Sequence, residues 1–133
     1  MPSWRRQPDG GRDFHSLTTP IKMDRRVKQV LDRLDRDFRV PHRVKDLASA
    51  VNLGASHLAH LMRREANTSV RDVIRRRRLI EAARLLATTH QRISEICYYV
   101  GFADVSNFNH AFRREFGLSP CAYRANRWRS PVE

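Results

Sequence analysis

From Asp24 onward the apolar residues fall at helical spacing, and the segments they define come twice. Val27, Val30, Leu31, Leu34 and Phe38 predict a first helix that begins near Asp24 and runs until Pro41 stops it. Val44, Leu47, Ala48 and Val51 stand at i, i+3, i+4 and i+7 and predict a short second helix, interrupted by Asn52-Leu53-Gly54. Leu58, Leu61 and Met62 form the inner stripe of a third, roughly Ala55 to Ala66. Two short helices joined by three or four residues that include a glycine are the signature of a helix-turn-helix. Ser69-Val70-Arg71-Asp72 then reads as a capping box, with Asp72 a shorter stand-in for glutamate. It opens a long helix over about 70–87. The apolar residues of that helix (Val73, Ile74, Leu79, Ile80, Ala82, Ala83, Leu85, Leu86) wrap more than one face, as in a helix packed on two sides.

After the polar break TTHQ the first pattern returns. Ile93, Ile96, Cys97 and Val100 predict a short helix, Gly101-Phe102-Ala103 a turn, and Asp104 the cap of the next helix. Phe108, Ala111, Phe112 and Phe116 supply its buried stripe, Gly117 ends it, and Ser119-Pro120 opens a last helix that carries Tyr123 and ends near Trp128. HLMRRE at 60–65 recurs as HAFRRE at 110–115, an offset of 50 (110 minus 60). Leu58 pairs with Phe108, Met62 with Phe112, Asn67 with Gly117, Ser69 with Ser119 and Val73 with Tyr123. Upstream, Val51 pairs with Val100, so the second turn holds one extra residue. The expected fold is all-α: two helix-turn-helix subdomains, each a homeodomain-like three-helix lobe, joined by a long central helix. The expected boundaries are a flexible, Pro- and Gly-bearing arm over 1–20, a first subdomain over 21–69, a bridging helix over 70–87, a second subdomain over 88–128 and a tail over 129–133.

Charge narrows the partner. The 133 residues carry 26 Lys and Arg against 14 Asp and Glu, a net +12, which points to a polyanion. By count, residues 1–20 carry +1, 21–69 carry +5, 70–87 carry +4 and 88–133 carry +2, so the predicted folded part is itself basic. Cys97 and Cys121 are too few and too far apart for a disulfide framework or a CxxC site, which fits a reduced, cytosolic setting. The N-terminus has no apolar run of the secretory kind, and no stretch reaches the roughly 18 apolar residues of a membrane span. A soluble intracellular protein with no membrane partner is expected.

At about 100° per residue, the face opposite Leu58, Leu61 and Met62 carries Ser56, His60 and Arg63, with Ala59 on its flank. The second copy places Ser106, His110 and Arg113 opposite Phe108 and Phe112, with Asn109 on the flank. Small, polar and basic outer residues are what a recognition helix needs to enter a major groove. His60 and His110 are expected at base edges. Arg63 and Arg113, with Arg43, Lys45, Arg92 and Asn107, are expected as phosphate or mixed contacts, and the helix starts at Val44, Val70 and Ile93 would add backbone N–H donors. A bridge of some 18 residues would span about 27 Å, near the ~34 Å between successive major grooves on one face of DNA. The run Arg75-Arg76-Arg77-Arg78 points in four directions, so at most one or two of its members are expected at phosphate and one is expected to pair internally, with Glu81 the candidate.

Other chemistry fits less well. His57 and His60 have a metal pair's spacing but no third ligand, so no metal is expected. Scattered carboxylates, with no Gly-rich phosphate loop and no Ser/His/Asp grouping, argue against an enzyme or a cofactor. Two rivals remain: a non-specific architectural nucleic-acid binder, which would need only the basic surface, and a repair protein using Cys97 or Cys121 as methyl acceptor. The latter requires an exposed, activated thiolate, whereas Cys97 falls on a buried stripe.

The stretch RRRLIEAARLLATTHQRISEICYYVGFADVSNFNHAFRREFGLSPCAYR resembles the AraC/XylS family of bacterial transcription regulators. Arg78-Leu79, Ala82, Leu85-Leu86, Ile93, Glu95-Ile96, Gly101-Phe102, Ser106, Phe108, Phe112, Gly117, Pro120, Tyr123 and Arg124 carry the resemblance, which with the weaker first half covers roughly 24–128. It implies a sequence-specific activator that inserts two helices into adjacent major grooves of double-stranded promoter DNA, contacts RNA polymerase and works in the bacterial cytoplasm at the nucleoid. Family base-reading positions fall on Ser56, Ala59 and His60, and on Val105, Ser106, Asn109 and His110. The first half departs from the family pattern at Gly54 (usually Ser), Met62 (Phe), Asn67 (Gly) and Val70 (Pro). Many relatives carry an effector-binding or dimerisation domain ahead of this module, so the chain is expected to be either a stand-alone member or the DNA-binding part of a longer regulator.

Overall fold

Asp24 starts the first helix of the structure, a computed structural model that describes residues 23–129, Arg129 by its backbone alone. The arm expected over 1–20 lies outside the described residues, as does the tail beyond Arg129. The Asp24 carboxylate accepts from the Arg26 backbone N–H at 2.8 Å and launches α1 (Arg25–Arg36), which buries Val27, Val30, Leu31 and Leu34. The helix ends earlier than the expected stop at Pro41. Asp37 leaves helical geometry while its N–H still reaches the Arg33 carbonyl at 2.9 Å, and His42 Nε2 lies 2.7 Å from the Asp37 carbonyl. Pro41 forbids helical backbone just before it. The chain turns three residues ahead of Val40, and Phe38 is buried from that turn and not from the helix.

The two helix-turn-helix segments use the same turn. α2 (Val44–Ala50) is followed by α3 (Ala55–Ala66), and α5 (Ile93–Val100) by α6 (Val105–Phe116). After α2, Leu53 N–H bonds the Ala48 carbonyl and Asn52 N–H that of Ser49; after α5, Phe102 bonds Cys97 and Gly101 bonds Tyr98. These are paired Schellman bonds, and both need a left-handed residue, Asn52 at φ 60° and Gly101 at φ 114°. The next helix is capped by Gly54 in one case and by Asp104 in the other, so Ala103 is the extra residue of the second turn. Asn67 (φ 53°) and Gly117 (φ 81°) end α3 and α6 in the same left-handed way.

Between these segments runs α4 (Val70–Thr88), and α7 (Pro120–Arg129) closes the described chain. Among the described residues the structure is seven helices and no strand. Ser69 and Ser119 cap α4 and α7, each accepting a backbone N–H at 3.1 Å from Asp72 and Ala122 respectively. The chain divides into two compact units, the first ending at Arg76 and the second beginning at Arg77. This division explains why the apolar residues of α4 wrap its faces: Val70, Val73 and Ile74 belong to the first core, whereas Leu79, Ala82, Ala83, Leu85 and Leu86 belong to the second.

The second part of α4 is to its unit what α1 is to the first. Val27, Val30, Leu31 and Leu34 have the spacing of Leu79, Ala82, Ala83 and Leu86, an offset of 52 (79 minus 27), and all eight are buried. The fillings differ. The first core is aliphatic, built on Leu34, Leu47, Leu58, Leu61 and Met62. The second holds a ladder of rings in which Phe108 contacts Phe102 and Phe112 (centroids 5.3 and 5.8 Å apart), and Phe112 contacts Phe116 (4.5 Å) and Tyr123 (5.4 Å). The end of α4 is closed by α7: Arg124 donates to the Leu86 and Thr89 carbonyls at 3.1 and 3.0 Å, and Trp128 Nε1 to the Leu86 carbonyl at 3.1 Å. Carbonyls at a helix end have no partner within the helix, and these two side chains supply one.

Candidate nucleic-acid interface

Among the described residues no charged residue is fully buried, and the arginines on the outward faces of the two second helices are exposed. In the second unit the Asp104 carboxylate accepts from Asn107 backbone N–H at 2.7 Å and fixes the start of α6. With Phe108 and Phe112 wholly buried, helical geometry turns Ser106, Asn109, His110 and Arg113 outward, and all four are exposed; Val105 is half-buried. These four line one wall of an open groove of about 500 Å³, with Ser119 and Cys121 at the start of α7 on another. It is open, and Ser106, Asn109, His110, Arg113 and Ser119 bring polar groups to it, which suits a nucleic-acid backbone better than a buried small ligand. Asn107 also borders this groove, and its amide Nδ2 donates to Asp104 Oδ2 at 3.1 Å, so one of its two N–H donors is engaged in the cap.

In the first unit Ser56, Ala59, His60 and Arg63 occupy the same outward positions and are exposed. The start of α3 is different. Gly54 has ordinary extended backbone (φ −82°, ψ 160°), gives no side-chain cap, and a Cβ there would meet nothing within 4 Å. Of the expected phosphate contacts, Arg43 and Arg92 are the N-cap residues of α2 and α5, and Lys45 is in the first turn of α2; all three are exposed. Arg92 N–H donates to Glu95 Oε1 at 2.9 Å, one arm of a capping box whose other arm an arginine side chain, having only donors, cannot form.

The arginine run is divided among separate tasks. Arg75 pairs with Asp72 at 3.1 Å and Arg78 donates to the Gly101 carbonyl at 2.9 Å, its guanidinium pushed below the ordinary arginine range by burial. Glu81, the expected internal partner of the run, accepts two bonds from Arg84, at 3.0 and 2.7 Å. The Arg78 contact and the Arg124 and Trp128 caps escape sequence reasoning. So does the bond from Asp24 N–H to Glu65 Oε1 (3.1 Å), which makes the glutamate of HLMRRE a tie between α3 and α1.

The thiols separate clearly. Cys97 is buried, and burial, with the Asp104 charge as the lesser cause, pushes its thiol up, away from an activated thiolate. Cys121 is exposed. Among the described residues no group of three or more His, Cys, Asp and Glu is arranged to hold a metal, and no helix is long and apolar enough to cross a membrane.

Two units, each with an outward-facing second helix of a helix-turn-helix, define a tandem helix-turn-helix protein. A family described as a helix-turn-helix domain matches residues 47–126, and the chain belongs to the AraC/XylS family of transcription regulators. It is 34% identical over 98 residues to the Msm operon regulatory protein of Streptococcus mutans, covering 74% of this chain and 35% of that one. The chain thus spans about a third of the length of that relative. Among solved structures it is similar to the C-terminal domain of AraT, a response regulator from Geobacillus stearothermophilus (25% identity, TM-score 0.76, 84% of this chain and 93% of that one). The DNA-binding domain of the global transcriptional factor AdpA, solved with a target DNA, shares the fold (24% identity, TM-score 0.74, 83% and 100% covered).

Proposed function

We propose that this chain is the sequence-specific DNA-binding module of a bacterial transcription activator, with α3 and α6 entering adjacent major grooves of a promoter. The observation that carries this reading is the match between two exposed faces, Ser56, Ala59, His60 and Arg63 on one helix and Ser106, Asn109, His110 and Arg113 on the other, at one offset in two units of one design. The DNA-bound relative of the same fold supports it. In this reading 21–69 and 88–128 are the reading subdomains and 70–87 the bridge. Ser56, Ala59, His60, Val105, Ser106, Asn109 and His110 meet base edges; Arg63, Arg113, Arg43, Lys45, Arg92 and Asn107 meet phosphate or share both roles. The bound module recruits RNA polymerase, in the cytoplasm at the nucleoid, and acts by binding and not by catalysis.

Selection from random DNA tests this directly. The expected result is a motif with two sub-sites about 10 base pairs apart; no enrichment would favour the architectural rival, for which the spread of positive charge alone would suffice. On the selected duplex, His110→Ala is expected to weaken cognate binding about tenfold and binding to random DNA far less. Equal losses on both duplexes would take His110 out of the reading set.

A further inference from the structure

We propose that Arg78 is a positioning residue for sequence reading: by donating to the Gly101 carbonyl it fixes the turn from which α6 is launched, and the first unit has lost the equivalent contact. The inference rests on the DNA-reading role of α6 proposed above. Gly101 is the left-handed residue of the Schellman turn, half-buried, and its carbonyl stands outside the bonds that close α5. A carbonyl outside those bonds is paired by another donor or by water, and the Arg78 guanidinium provides a donor at 2.9 Å across 23 residues of chain. Three residues after Gly101 comes Asp104, whose carboxylate starts α6. Tilting the turn therefore tilts the reading helix.

The internal duplication supplies a natural comparison. The core register that pairs Val27 with Leu79 pairs Arg26 with Arg78 and Asp24 with Arg76. In the first unit the guanidinium of Arg26 bonds both oxygens of Asp24, at 3.1 and 2.9 Å, and does not hold the turn at Asn52. In the register of the second core the residue in the place of Asp24 is Arg76, an arginine that cannot capture its neighbour, and Arg78 reaches the turn.

The test uses the selected duplex and three variants: Arg78→Met, which keeps the stem and removes the donors; Arg78→Lys, which keeps one; and Arg26→Met as the first-unit counterpart. Affinity is measured for each single base-pair change across both sub-sites, and His110→Ala identifies the sub-site that α6 reads. In Arg78→Met, discrimination within the α6 sub-site is expected to fall about tenfold, with the other sub-site unchanged. Arg78→Lys restores most of it, and Arg26→Met leaves it intact. The slope of log affinity against log salt stays at the wild-type value. A slope lower by about one, with a uniform loss over both sub-sites, would make Arg78 a phosphate contact and overturn the proposal. So would an unchanged discrimination profile. Amide exchange separates a loosened turn from an unfolded unit: Phe102 and Asn107, whose N–H groups bond the Cys97 carbonyl and the Asp104 carboxylate, are expected to exchange faster in Arg78→Met while Leu86 and Phe112 keep their protection, and loss of protection throughout the second unit would reduce Arg78 to a stabilising residue. If selection on the wild type returns no motif, the two-groove reading itself falls and this role with it. A motif whose profile ignores Arg78→Met removes only this role.

Discussion

In the second unit an aspartate caps the reading helix, rings fill the core beneath it and an arginine holds its turn; in the first, a glycine stands at the cap, a methionine and aliphatic side chains fill the core, and the matching arginine bonds Asp24 instead. Burial does not separate them, since Met62 and Phe112 are both wholly inaccessible. The difference lies in how narrowly each filling defines a geometry. Ring pairs have preferred contact angles, whereas a thioether chain adapts to the space it is given. Yet the outward faces have hardly diverged. Of the four matched outward positions, Ser, His and Arg are the same in both, and Ala59 against Asn109 differs. A duplicated fold can thus keep what it presents while changing how firmly it presents it.

The largest test of that contrast removes the central side chain from each core. Phe112→Ala deletes a ring that contacts Phe108, Phe116 and Tyr123 and is expected to cost about 4 kcal/mol. Met62→Ala is expected to cost about 2–3 kcal/mol, because flexible aliphatic neighbours can close part of the cavity. Urea unfolding, followed by amide exchange in each unit separately, measures both. Equal losses would show that the ring ladder does not make the second unit firmer than the first.

A second, smaller effect concerns the difference among the four matched outward positions, Ala59 against Asn109. An asparagine can bond an adenine edge at two points, whereas an alanine offers only a methyl to thymine. Asn109→Ala is expected to remove about 1–3 kcal/mol of discrimination at one base pair of its sub-site, and so to bring the two sub-sites closer in sequence. Repeating the selection with this variant checks it. An unaltered motif would mean that Asn109 makes no base contact.

What the sequence disclosed and what it hid follow from the kind of interaction involved. Apolar period and local caps are properties of neighbouring residues, so α3, the start of α6 at Asp104 and the left-handed ends at Asn67 and Gly117 were all legible. The outward faces followed from the same period. Arg78 to Gly101, Arg124 to Leu86 and Glu65 to Asp24 were not legible, because each joins a side chain to a backbone group at least 23 residues away and depends on how the helices meet. The early end of α1 was hidden for a related reason: Phe38 keeps the helical period but is buried from a turn. The engagement of Asn107 could have been read, since it stands at capping-box spacing from Asp104.

Gly54 offers a way to narrow the contrast. Its backbone is one that any residue adopts, and nothing crowds the place of a Cβ. Gly54→Ser would supply the missing cap and reduce the freedom of the unfolded chain, a gain of about 0.5–1 kcal/mol in the first unit. The change is expected as a higher unfolding midpoint with amide protection raised in α2 and α3 and unaltered in α6. A loss of stability would mean that the glycine serves some need other than backbone freedom.

The smallest expected effect is a difference in acid sensitivity. The Asp24 carboxyl is lowered from 3.8 to about 2, chiefly by hydrogen bonds from the Arg26 side chain and then from its backbone N–H. A carboxyl held lower in the folded state stabilises that state fully above its unfolded value, and the contribution disappears as pH falls through the folded one. The window here is therefore from about 4 down to about 2. The position that matches Asp24 in the register of the second core is Arg76, which has no carboxyl to protonate, so this loss has no counterpart there. Other carboxylates titrate over the same range, and the informative quantity is the stability of wild type minus that of Asp24→Asn, in which the amide oxygen can still cap α1 but carries no charge for Arg26. That difference is expected to be constant from pH 7 to 5 and to shrink toward zero between about 4 and 2. A difference that does not change with pH would show that Asp24 acts only as a neutral hydrogen-bond acceptor.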